Sequence, residues 1–136
     1  MKKILVFIGF LLMLAVSSCS NDDELNLRFE PLRVTEVNFP EEVQVLEAYQ
    51  VDVTYLRPSS CHYFEGFDYE DTGESETTVF LIASVFNDQP CQELNVELET
   101  SFEFKPEEAG NYTFRFWQGK NADDEDMYYV VDVLVK

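Results

Sequence analysis

From Leu27 onward, apolar and polar side chains alternate with a period of two, the pattern of strands that bury one face. The clearest stretch sets Leu94, Val96, Leu98, Thr100, Phe102 and Phe104 against Asn95, Glu97, Glu99, Ser101, Glu103 and Lys105. Tyr112, Phe114 and Phe116 then alternate with Thr113, Arg115 and Trp117, and Tyr129, Val131, Val133 and Val135 share a face near the end. Earlier, Val43, Val45, Tyr49, Val51, Val53 and Tyr55 point one way while Gln50, Asp52 and Thr54 point the other. Residues 28–39 read as a first strand weakened by Pro31, which suits an edge or a break. Residues 61–69 read as a short aromatic strand closed by an acidic turn at 70–74. Residues 77–86 are almost continuously apolar, as a strand covered on both sides would be. Clusters such as Asn87-Asp88-Gln89-Pro90 mark the turns between these runs. About seven short strands predict an all-β fold, an antiparallel β-sandwich over residues 28–136.

Residues 1–18 break the pattern. Lys2 and Lys3 precede an apolar run from Ile4 to Val16, which is too short for a bilayer span of about 20 residues. A basic start, a short apolar stretch and small residues before a cut form a signal peptide. Ala15-Val16-Ser17-Ser18-Cys19 resembles the lipobox of bacterial lipoproteins, in which the cysteine becomes the first mature residue and carries the lipid. The alternatives are an ordinary secretory signal with a chance cysteine at the cut, or an uncleaved anchor. The resemblance implies a covalent lipid on Cys19 and attachment to the outer membrane. Each buried methylene contributes about 0.8 kcal/mol, so two or more acyl chains anchor stably. Ser20-Asn21-Asp22-Asp23-Glu24 follows as a polar tether within residues 19–27. It is similar to the export signal of surface-displayed lipoproteins of the Bacteroidetes type, which implies display on the cell surface rather than a periplasmic location.

Cleavage would remove 18 of the 136 residues and leave 118, enough for one domain with its own core. The mature chain would keep seven basic and all 27 acidic residues, a formal charge of −20. Such a surface repels phosphate backbones, which excludes a nucleic-acid partner. Aromatic residues at 15% argue against the disorder that high charge alone would suggest. Once Cys19 is set aside, Cys61 and Cys91 remain as an even pair in an exported chain, and a Cys61–Cys91 disulfide is expected. Two free thiols are the alternative. If the strands run alternately up and down, both cysteines fall at the same end of the sandwich, together with the 119–126 loop.

Glu108-Ala109-Gly110-Asn111-Tyr112 resembles the approach to the sixth strand of immunoglobulin-like, fibronectin-like and PKD-like domains. That resemblance implies an immunoglobulin-like sandwich and a tyrosine corner at Tyr112, whose hydroxyl bonds back to the upstream backbone. Phe114 stands where antibody domains carry a cysteine, so the inter-sheet disulfide of that family is absent.

Catalytic chemistry is not indicated. His62 is the only histidine and reads as a loop residue, so neither a triad nor a zinc set is supplied by composition. Asn121, Asp123 and Glu125 place oxygen side chains at alternate positions and make a weak calcium candidate, although calcium takes six to eight oxygens. No other cofactor is suggested. Trp117, Tyr63, Phe64 and Tyr128 are the candidate ligand or partner surface, Trp117 because its parity sets it opposite the inward-facing aromatics. The expected function is a non-catalytic binding or protein-interaction module at the cell envelope. A carbohydrate-binding accessory lipoprotein of a glycan-uptake system is the alternative, and a purely structural envelope protein the third.

Overall fold

The computed structural model describes residues 26–136, and the leader, Cys19 and the acidic tether lie outside them. Nine strands form two packed sheets, and no helix occurs among the described residues. They are β1 (Leu27–Leu32), β2 (Val34–Asn38), β3 (Glu42–Val43), β4 (Tyr49–Ser59), β5 (His62–Gly73), β6 (Glu76–Phe86), β7 (Glu93–Phe104), β8 (Gly110–Lys120) and β9 (Asp126–Val135). One sheet has β4 between β2 and β7; the other carries β1, β6, β8, β9 and β3, with β5 on the remaining edge of β6. The chain is thus a β-sandwich, as its alternation requires, with nine strands where about seven were expected.

The extra strands come from the first segment. Residues 28–39 do not form one strand: the chain pairs with β6 as far as Leu32, then crosses at Arg33 to pair with β4 from Val34. The 70–74 stretch also departs from expectation. Glu70 and Asp71 lie in β5 opposite Thr78 and Thr77, because a hairpin with β6 continues through them and turns at Glu74 and Ser75. Regular pairing here overrides the composition of the segment.

Most ladders are antiparallel, but β6 and β8 pair in parallel, as do β3 and β9. The first follows from topology. β7 belongs to the opposite sheet, so β6 and β8 run the same way when they meet as neighbours. β8 covers β6 only from Glu76 to Val79, and β1 takes over that edge from Leu81 to Phe86. Past Phe116, β8 therefore leaves β6 and bulges between Trp117 and Lys120.

The inward set forms the core between the sheets. Phe116, Leu81, Val51 and Val53 have no exposed surface. Phe39 packs against Phe114 at 4.8 Å and Phe104 at 5.3 Å between ring centroids, so the β2–β3 connection closes the lower core. At the upper end, Cys61 and Cys91 form a disulfide with a Cα–Cα distance of 5.4 Å. Asn26 sits at this same end, where its carbonyl accepts the Asn87 N–H at 2.9 Å.

Candidate functional site

Where β8 parts from β6, its end swings against the β1–β2 crossover and the end of β4. The result is an open groove of about 640 Å³ lined by Pro31, Arg33, Leu56, Pro58, Trp117, Gly119 and Lys120. That volume suits a small molecule or one to two sugar rings. Gln118 donates from Nε2 to the Val34 carbonyl at 3.2 Å, tying the diverging strand to the second sheet.

Asp126 organises two of the side chains in the groove. The Trp117 indole N–H donates to Asp126 Oδ1 at 2.9 Å, and Lys120 Nζ lies 3.2 Å from the same oxygen. One carboxylate thus orients the ring and the ammonium together. Hydrogen bonds from Trp117 and Lys120 hold Asp126 below its ordinary carboxyl value, and Asp126 raises Lys120 in turn. Gly119 adopts φ +94°, and a Cβ there would meet Nε and Nη2 of Arg33 at 2.8 Å. The glycine therefore serves both the bulge and the close approach of the Nε–Nη2 edge of the guanidinium.

The residues expected to make one aromatic surface are divided. Trp117 and Tyr128 are cross-strand partners on β8 and β9, and Arg115 covers the Tyr128 ring at 4.1 Å. Tyr63 lies on β5, on the far side of β6, with Arg57 over its ring at 5.2 Å. Phe64 faces the other way and packs on Tyr55 and Phe67, so it belongs to the core and not to a ligand surface. The Tyr112 hydroxyl donates to the Glu108 carbonyl at 3.0 Å, the geometry of a tyrosine corner.

In the 121–125 turn, Asn121 Oδ1 accepts the N–H groups of Asp123 and Glu125 at 2.9 and 3.0 Å, and Asn121 Nδ2 donates to Glu125. These side chains organise the turn itself. Among the described residues no group of three or more His, Cys, Asp or Glu side chains converges as a metal site.

His62 is not a loop residue. It opens β5, with Nδ1 2.7 Å from Ser59 Oγ and Nε2 3.1 Å from Glu30 Oε2. Arg28 also bonds Glu30. Burial raises the Glu30 carboxyl, but hydrogen bonds from His62 and Arg28 bring it below its ordinary value. The acid and the serine come from different sheets, so the chain of bonds clamps the sandwich beside the disulfide. Ser59 Oγ meanwhile accepts the Cys61 N–H at 3.2 Å, and it is Pro58 and Pro31, not Ser59 and Glu30, that line the groove.

Trp117 was visible to sequence reasoning through parity. Arg33 and Gly119 were not, since their contact spans 86 residues and neither has a local signature.

The chain matches no family model, no curated protein and no solved structure.

Proposed function

We propose that this chain is an exported lipoprotein, acylated at Cys19 and displayed at the outer membrane, whose sandwich is a non-catalytic binding module. The leader and Ala15-Val16-Ser17-Ser18-Cys19 support the anchor. Among the described residues no helix is long and apolar enough to cross a membrane. The observation that carries the binding reading is the Trp117 groove: an open seat with an oriented indole, three apolar neighbours and two cations in an otherwise acidic chain. On this reading, residues 20–25 reach at most about 21 Å, so the disulfide end and the groove lie close to the bilayer.

Trp117 is the only tryptophan, so its emission reports on the groove alone. Titration with envelope and nutrient glycans and with protein ectodomains should give a saturable change for one class, lost in Leu56→Glu. A flat response to all of them would leave a structural envelope protein instead. Between a protein and a glycan, the ring-faced lining favours the glycan.

A further inference from the structure

We infer that the groove takes an acidic sugar, a hexuronate residue whose carboxylate meets Arg33 and whose flat C–H face lies on the indole and proline rings. This inference rests on the binding reading above.

Of the basic residues among those described, Arg28, Arg115, Lys120 and Lys136 pair with carboxylates, and Arg57 donates to the carbonyls of Ser60 and His62. Arg33 and Lys105 have no such partner, and of the two only Arg33 lines the groove, where it is exposed, although the whole chain carries 27 acidic residues. Two carboxylates flanking the groove residues are engaged elsewhere, Glu30 by Arg28 and His62, and Asp126 by Trp117 and Lys120. A guanidinium presents a flat fork of donors that matches a carboxylate bidentately. Here the guanidinium abuts the Gly119 backbone through Nε and Nη2, which places it at the groove wall.

The apolar side selects the shape. Pro31, Pro58 and Trp117 bring three rings to the lining, and Leu56 adds an aliphatic side chain. The two prolines also remove backbone donors from the lining, so an extended peptide cannot add here as a further hydrogen-bonded strand. A pyranose needs no such ladder. The formal charge of −20 on the mature chain, seven basic against 27 acidic residues, opposes long polyanions, but charges beyond a Debye length of about 8 Å are screened at physiological salt. Direct contact with Arg33 therefore decides, and a short oligouronide or a chain end fits better than a polymer.

The experiment is a fluorescence titration of the full lipoprotein in detergent with trigalacturonate, neutral trigalactose and a glutamate-rich hexapeptide. Trigalacturonate should saturate the Trp117 change, and trigalactose should bind at least tenfold more weakly. Arg33→Gln should weaken trigalacturonate at least tenfold while leaving any trigalactose response unchanged. Equal binding of the two sugars, or full affinity in Arg33→Gln, would overturn the acidic-sugar inference while the groove stands as a binding site. A response to the peptide alone would overturn it in favour of a protein partner. Silence from all three probes would overturn the inference and, with silence in the broader titration above, the binding reading too.

Discussion

Removing the Cys61–Cys91 bridge should cost this fold a quarter or more of a typical domain's stability. The bridge spans 30 residues and encloses the β5–β6 hairpin. In the chain-entropy treatment, a loop of that length restricts the unfolded ensemble by about 3.6 kcal/mol at 25 °C. Small domains are stable by only about 5–15 kcal/mol. For a domain of this size the unfolding entropy is about 0.23 kcal/mol per kelvin, so the melting temperature should fall by about 15 °C. Cys61 has no exposed surface, so Cys61→Ala adds a small packing loss, whereas Cys91 is exposed. The hairpin keeps its own ladder, which leaves the fold intact. Urea unfolding of Cys61→Ala/Cys91→Ala, compared with the reduced parent chain, separates packing from entropy. The denaturant dependence should steepen in both, because an uncrosslinked unfolded chain exposes more surface. A loss below about 1 kcal/mol with an unchanged slope would refute the reasoning.

Three further outcomes follow from local contacts. The folded Glu30 carboxyl lies below its ordinary value, so its bonds stabilise the fold above about pH 4.5 and that contribution fades as pH falls through the depressed value. Glu30→Gln should cost under about 1 kcal/mol at neutral pH, as its side chain is 37% exposed, and should flatten the acid limb of stability against pH; an unaltered limb in urea melts at stepped pH would contradict it. Tyr112→Phe deletes the bond to the Glu108 carbonyl and should cost about 0.5–1.5 kcal/mol in the same assay, with no loss counting against the corner. Gly119→Ala meets both φ +94° and the Arg33 guanidinium, and should cost about 1–2 kcal/mol while displacing the guanidinium, seen as altered Trp117 emission; unchanged stability and emission would contradict the close approach.

Much of this fold is written locally, and what is not local was hidden. Phe114 and Phe116 betray their inward face because period two is a property of neighbouring residues, and Trp117 betrays its opposite orientation in the same way. Pro31 marked a break, but the change of sheet at Arg33 was hidden, since Leu32 and Val34 are both buried and the alternation runs straight through it. The acidic residues Glu70 and Asp71 resemble a turn by composition, yet pairing with β6 holds them extended. Ser59–His62–Glu30 and Arg33–Gly119 each join distant segments, so no spacing rule exposes them. The groove exists because β8 and β1 share one edge of β6, a fact of topology rather than pattern.

The proposed role requires above all that the mature chain begin at an acylated Cys19. Intact mass and N-terminal peptide spectra of the natural protein test this directly. The expected product starts at Cys19, contains 118 of the 136 residues and carries fatty-acyl mass on that residue. A retained leader, or a mature chain whose Cys19 bears no acyl group, would contradict it.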